Sequence, residues 1–170
     1  MQFVVLSMLL GGPLSSYDLR SRFADVVSLF YSASLGSIQR ALTVLDDQGF
    51  IESRRDQASS RGRKAHSITP AGRAAWREWM LSPVTGAGAE RTMLARVFYL
   101  GQLSDPSDRA AVVATVRDRV EVDEANLRRL SGSATASPAA HYQLATLDYG
   151  LRTLTLARHW LDELAEELDR

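Results

Sequence analysis

Residues 35–48 place several hydrogen-bonding side chains close together on one side of a predicted helix. Ser37, Arg40 and Thr43 recur on that side, with Gln39 at its edge. Arginine pairs with guanine and glutamine with adenine in the major groove, and serine can reach base edges or phosphates. The apolar residues fall on the opposite side, which the protein would bury: Leu35, Ile38, Ala41, Leu42 and Leu45. The segment therefore predicts a helix whose polar side reads bases in double-stranded DNA.

Two residues mark the ends of this helix. Ser34 is a candidate N-cap, because its hydroxyl can accept a hydrogen bond from an amide of the first turn. Gly49 stands where a helix commonly ends on a left-handed residue. The Ser34 hydroxyl and the free amides at the helix start can also hold a phosphate group.

A basic cluster follows the helix. Its residues are Arg61, Gly62, Arg63 and Lys64. The flanking segments, 50–55 and 65–68, have the character of short strands around a polar stretch, so the cluster is predicted at the tip of a β-hairpin. Arginine on such a tip can enter the minor groove or hold the DNA backbone, which positions a protein without reading its sequence.

The neighbouring elements complete a winged helix-turn-helix. Residues 2–10 and 15–26 predict two short helices, separated by a Gly-Gly-Pro break. Thr69 and Pro70 predict the cap and first residue of a further helix, which ends near residue 81. We therefore expect a mainly α fold with a small two-stranded β wing, followed by a helical domain.

Three parts of the chain are predicted from this order. Residues 1–81 form the winged-helix domain, residues 82–89 a linker with proline and glycines, and residues 90–170 a helical domain for dimerisation and a candidate effector. The last helix, over residues 139–168, carries a seam at heptad spacing, which is typical of a helix that packs on a partner and predicts a homodimer. The seam consists of Leu147, Gly150, Leu154, Ala157, Leu161, Leu164 and Leu168.

The composition argues against several other classes of protein. Lys and Arg number 20, as do Asp and Glu, and the chain has no cysteine. The basic residues gather in residues 54–77 and acids at the end of the chain, so one region suits a polyanion. The apolar start is too short to span a membrane. The scattered histidines form no metal site and no catalytic constellation is present, so we expect a cytoplasmic protein without cofactor or enzymatic activity.

Three tryptophans have two readings. Trp76, Trp79 and Trp160 could border a pocket for a planar aromatic ligand. A tryptophan on an amphipathic helix is more often a core residue. The sequence leaves both readings open.

The N-terminal motifs resemble the PadR family of winged-helix regulators. Residues 36–53 read GSIQRALTVLDDQGFIES, residues 61–64 RGRK, residues 68–73 ITPAGR and residues 12–19 GPLSSYDL. The resemblance implies DNA contacts by Tyr17 and Gly36 as well as by the residues above. The family usually has tyrosine where this chain has Gln39 and glycine where it has Ser16. The remainder is similar to the longer-tailed branch of the family, with a C-terminal domain like that of virulence activators.

The leading hypothesis is a homodimeric repressor of a palindromic operator, released by a ligand or another signal. A winged helix that binds another protein instead of DNA is the alternative, although it would have no need of a basic tip on a neutral chain. Another regulator family with this fold and a different dimer is a third reading.

Overall fold

The structure, a computed structural model, describes residues 1–28, 33–55, 64–86, 88–132 and 138–168. The chain forms two compact units, of which the first contains residues 1–82 and 90–104 and the second residues 83–89 and 105–170. The sequence predicted residues 90–104 as part of the C-terminal helical domain, whereas in the structure they pack with the first unit.

In the described residues of the first unit, five α-helices surround an apolar core. They are α1 (Gln2–Leu9), α2 (Ser16–Arg22), α3 (Leu35–Asp47), α4 (Pro70–Leu81) and α5 (Ala89–Phe98), whose first residue counts with the second unit. A π-helical turn, Phe23–Val27, continues α2, and a 3-10 turn, Leu100–Gln102, follows α5. Val4, Val5 and Leu6 are almost inaccessible to solvent, so the apolar start of the chain is a core helix as predicted.

In the described residues the sheet has three strands, which are the two of the predicted wing and one further strand. Strands β1 (Leu14–Ser15), β2 (Ile51–Arg55) and β3 (Lys64–Ile68) lie in the order β1-β3-β2, and both pairings are antiparallel. The β2–β3 hairpin is the predicted wing. Strand β1 was missed because two residues are too few for the alternation of apolar and polar side chains that identifies a strand.

The predicted caps are confirmed. The Ser34 hydroxyl accepts a hydrogen bond from the Ser37 amide at 3.2 Å, and the Thr69 hydroxyl accepts one from the Gly72 amide at 3.0 Å. Gly49 has a φ of +69°, the left-handed conformation that lets the chain leave α3 and enter β2. Thr69 also donates to the Gly49 carbonyl at 2.8 Å, which ties the start of α4 to the end of α3.

The described residues of the second unit form a hairpin of two long helices, α6 (Pro106–Gly132) and α7 (Pro138–Leu168). Arg117 of α6 pairs with Asp162 of α7. Further along α6, the buried carboxylate of Glu124 faces earlier residues of α7, namely Thr155 at 3.5 Å and Arg158 at 3.7 Å. The two helices therefore run antiparallel. Glu124 also bonds Arg128 at 2.7 Å, so its charge is compensated inside the unit.

Much of the heptad seam of α7 is covered within the single chain. Leu161 is 0% exposed, and the other six residues of the seam are half-buried. A Cβ on Gly150 would lie 2.9 Å from Leu127 Cδ1, so the close approach that Gly150 allows is to α6 of the same chain. The sequence assigned these positions to a second chain, but at Leu161 and Gly150 the surface is already occupied.

Candidate nucleic-acid interface

Helix α3 divides into a buried side and an exposed side, as predicted. Ile38, Ala41, Leu42 and Leu45 are buried, whereas Leu35, which was also predicted on the buried side, is 39% exposed because it lies in the first turn of the helix. The exposed side presents Gly36, Gln39, Arg40 and Thr43, which we name the reader face. Its backbone is rigid, because caps hold both ends of the helix and the apolar side anchors it to the core.

The start of α3 leaves its backbone open to approach. Ser34 and Ser37 bond to each other, since the Ser37 hydroxyl donates to the Ser34 carbonyl at 2.8 Å. Gly36 lies between these two serines and has no side chain. A Cβ at this position would meet only Ser34 Oγ, at 4.0 Å. A phosphate can therefore come close to the positive end of the helix dipole.

Cavities lined by described residues flank the reader face on both sides. On one side Arg40 and Ser37 line a cavity of about 290 Å³ together with Met1, Gln2, Ala41 and Val44. Arg40 is exposed, and within the described ranges no carboxylate lies at ion-pair distance from its guanidinium. Its donors are thus uncommitted and can pair with a base edge.

The second cavity, of about 350 Å³, lies between the reader face and the sheet. Its lining is Ser16, Gln39, Leu42, Thr43, Asp46, Ser53, Lys64 and His66. Thr43 donates its hydroxyl proton to the Gln39 carbonyl at 3.2 Å. Because this cavity separates α3 from the wing, the side chains of Gln39 and Thr43 can contact both a groove and the backbone of bound DNA.

Cationic side chains lie at the end of the hairpin where β2 stops and β3 begins. Arg55 and Lys64 are exposed and directly paired across β2 and β3. Arg54 forms an exposed ion pair with Glu52 at 3.1 Å. Such a pair contributes little to stability, so Arg54 can leave Glu52 and bind a phosphate instead. The predicted residues Arg61, Gly62 and Arg63 lie outside the described residues.

Tyr17 is placed by a cap at the start of α2. Ser15 and Asp18 form a capping box, in which the Asp18 amide donates to the Ser15 hydroxyl at 3.2 Å and the Ser15 amide to the Asp18 carboxylate at 2.9 Å. Tyr17 lies within this first turn and is exposed. A DNA contact by Tyr17 is therefore sterically open and stays a prediction.

His66 is a feature that sequence reasoning missed. It is buried in the middle of β3, with Nδ1 2.9 Å from Ser53 Oγ and Nε2 3.4 Å from Ser16 Oγ. Burial lowers the pKa of His66, against an opposing effect of Asp46. The pairing of Ser53 with His66 across the hairpin could have been found only with the strand register in hand.

The tryptophans occupy separate environments. Trp76 is buried, and its indole N–H donates to Ser7 Oγ at 2.8 Å, so it is a core residue. Trp79 stacks on Phe3 at 5.1 Å between ring centroids, and the Arg96 guanidinium lies 5.1 Å from the Trp79 ring centroid. Trp160 belongs to the second unit. An aromatic pocket bordered by all three stays a prediction.

The described part of the chain contains neither a metal-binding cluster nor a helix that could span a membrane. No group of three or more His, Asp or Glu residues there is arranged to hold a metal ion. Nor is any helix in the same ranges long and apolar enough to cross a membrane.

A capped helix with an exposed polar face, followed by a hairpin and a further helix, defines a winged helix-turn-helix protein. Comparison with protein families agrees, since the Transcriptional regulator PadR-like family matches residues 5–78. The Virulence activator alpha C-term family matches residues 92–169. The chain therefore carries a PadR-like transcriptional regulator domain over residues 5–78 and a virulence-activator C-terminal domain over residues 92–169.

Individual relatives are similar over nearly their whole length. The Negative transcriptional regulator PadR of Bacillus subtilis (strain 168) is 26% identical over 183 residues, covering 100% of this chain and 98% of that protein. The Probable transcriptional regulator Rv1176c of Mycobacterium tuberculosis is 25% identical over 169 residues, covering 91% of this chain and 89% of the relative. Among solved structures, Bacillus subtilis PadR in complex with operator DNA is 22% identical with a TM-score of 0.46, and the match covers 98% of each chain.

Proposed function

We propose that this protein is a homodimeric transcriptional repressor that binds a palindromic operator through its reader face. The observation that carries the proposal is a reader face that is exposed and capped and shares a cavity with Lys64, which is paired with Arg55 across the wing. The relative in Bacillus subtilis is a negative regulator, which supports repression over activation. Such a protein acts on the chromosome, so we place it in the cytoplasm and assign it no enzymatic activity.

The interface divides its tasks between base reading and backbone holding. Gln39 and Arg40 carry the donors and acceptors that distinguish base pairs in the major groove. The start of α3 at Ser34 and Gly36, together with Lys64 of the wing, meets phosphates. With no net charge on the whole chain, non-specific attraction to DNA is weak, and specificity depends on the reader face.

The dimer uses a different face of α7 from the heptad seam. Tyr142, Tyr149 and Leu156 are 76%, 72% and 71% exposed and follow each other at seven-residue spacing. Thr153 and Trp160 lie on the same side of the helix, because Thr153 is four residues after Tyr149 and Trp160 is four residues after Leu156. We name these five residues the outer stripe. An exposed apolar stripe along a long helix needs a partner, and a second copy of α7 related by a twofold axis presents the same stripe.

An aromatic effector is part of the proposal for regulation. Trp79 is half-buried and contacts both Phe3 and Arg96, so a planar ligand can compete for stacking on its ring. A ligand of this kind should quench tryptophan fluorescence and weaken operator binding together, because coupling between two sites is reciprocal. Quenching without any change in operator affinity would remove the regulatory role.

Selection of DNA from a random pool tests the proposal. The purified full chain is incubated with random duplexes at a stated salt concentration, and the retained DNA is sequenced. We expect enrichment of one motif with two inverted half-sites, as twofold symmetry requires. Retained DNA without a shared motif would contradict the proposed function.

A further inference from the structure

The cavity between the reader face and the sheet contains an ionisable group that base reading does not use. His66 is only 7% exposed, yet it lines this cavity of about 350 Å³ beside Gln39, Thr43 and Lys64. A buried histidine below a surface that faces DNA is placed where the charge of a bound phosphate would act on it.

Hydrogen bonds define which ring nitrogen carries the proton. The Ser53 hydroxyl donates its single proton to Asp46 Oδ1 at 3.2 Å. At 2.9 Å from the His66 ring, the same hydroxyl must therefore accept a hydrogen bond from Nδ1–H. In the neutral ring, Nε2 is then unprotonated and faces Ser16 Oγ at 3.4 Å. Ser16 also lines the cavity, so Nε2 is the atom that takes up a proton on the side of the ligand.

Protonation of His66 decides the charge of this cavity. The charged groups that face the ring are Asp46 from α3 and Lys64 from β3, while Ser16 of α2 and Ser53 of β2 are neutral. With a neutral ring, the charges of Lys64 and Asp46 cancel. A proton on Nε2 leaves one net positive charge and a new N–H donor, which match the single negative charge of a phosphodiester.

The free protein keeps this ring neutral near pH 7. Burial lowers the pKa of His66, and this effect outweighs the opposing influence of Asp46. A phosphate anion in the cavity would stabilise the charged ring and raise the pKa of His66 in the complex. By linkage, a group that binds its proton more tightly in the complex makes binding stronger at low pH.

We infer that this cavity, which we name the His66 pocket, holds a phosphate of the DNA backbone, and that His66 binds it through protonated Nε2. The inference rests on the proposed function and adds proton uptake to DNA binding. The gain in affinity is fully present below the pKa of His66 in the free protein. It is lost as the pH rises through the pKa of His66 in the complex.

Fluorescence anisotropy with a labelled duplex from the random-pool selection tests the inference. Affinity is measured between about pH 5.5 and 8 at constant ionic strength, the range in which histidine titrates. For every unit by which DNA raises the pKa of His66, the wild type should lose about tenfold in affinity per site across this range. His66→Gln keeps hydrogen-bonding groups without titrating, so this part of the pH dependence should disappear. His159→Gln, which removes an exposed histidine of α7, should behave as the wild type.

Three results distinguish a failure of this inference from a failure of the proposed function. Tight DNA binding with the same pH dependence in the wild type and His66→Gln would overturn this inference and leave the proposed function standing. Absence of DNA binding by the wild type at every pH would contradict both. Should His66→Gln not fold, the His66 ring of the wild type is titrated by NMR with and without the duplex. A pKa unchanged by DNA, or raised equally by inorganic phosphate alone, would overturn the assignment to the DNA backbone.

Discussion

Replacement of Leu156 by aspartate should convert the homodimer into a folded monomer. Leu156 is 71% exposed in the single chain, so it contributes little to the stability of the hairpin of α6 and α7. In a twofold dimer it would be buried twice, and burial of a leucine contributes about 1.5–3 kcal/mol. Losing both copies therefore costs roughly 3 kcal/mol or more, which raises the Kd of the dimer by at least about 100-fold.

Sedimentation velocity over a range of concentrations, combined with urea unfolding, measures both effects. Leu144→Asp is the matched control, since Leu144 is 39% exposed on another side of the same helix. Leu161→Ala serves as the contrast, because loss of a fully buried leucine should cost about 2–5 kcal/mol of stability within the chain. If the Leu156→Asp protein remains dimeric, or the Leu161→Ala protein dissociates with unchanged stability, the dimer contact lies at the heptad seam and not at the outer stripe.

Three further predictions concern the stability of the first unit. Ser7→Ala leaves the buried indole N–H of Trp76 without its acceptor and should cost about 1–3 kcal/mol in urea unfolding, while the same change in a Trp76→Phe background should cost less. Gly72→Ala places a Cβ 2.1 Å from the Phe50 carbonyl oxygen, a backbone atom that cannot yield cheaply, and should lower the Tm by several degrees. Burial raises the pKa of Tyr99 to about 12, so stability should fall above about pH 10, where tyrosine ionises in the unfolded chain, and Tyr99→Phe should flatten this part of the Tm–pH curve.

The reader helix was predictable because local chemistry specifies it. Ser34 and Gly49 mark its ends through interactions within a few residues, and its apolar spacing identifies the buried side. The exposed positions of Gln39 and Arg40 follow from that spacing alone. The start of α4 was equally well marked, by Thr69 and Pro70.

Features that depend on distant contacts were not predictable. The His66 pocket joins residues from α2, α3 and both wing strands, and no local pattern brings Ser16 near His66. The heptad seam was identified as an interface, but spacing does not say whether the partner helix belongs to the same chain. In the structure α6 supplies a partner, as the close approach of Gly150 to Leu127 illustrates.

Parallel DNA-binding measurements on Arg40→Ala and Lys64→Ala test the central claim most directly. Affinity is measured for the selected operator and for a random duplex at several salt concentrations. Arg40→Ala should weaken binding to the operator by about 1–3 kcal/mol, which is roughly 5- to 150-fold, and leave random DNA little changed. Lys64→Ala should weaken binding to both duplexes and lower the salt slope by about one unit for each phosphate that Lys64 neutralises in the wild type. Equal weakening of both duplexes by both variants would contradict the account, because α3 would then hold DNA without reading it.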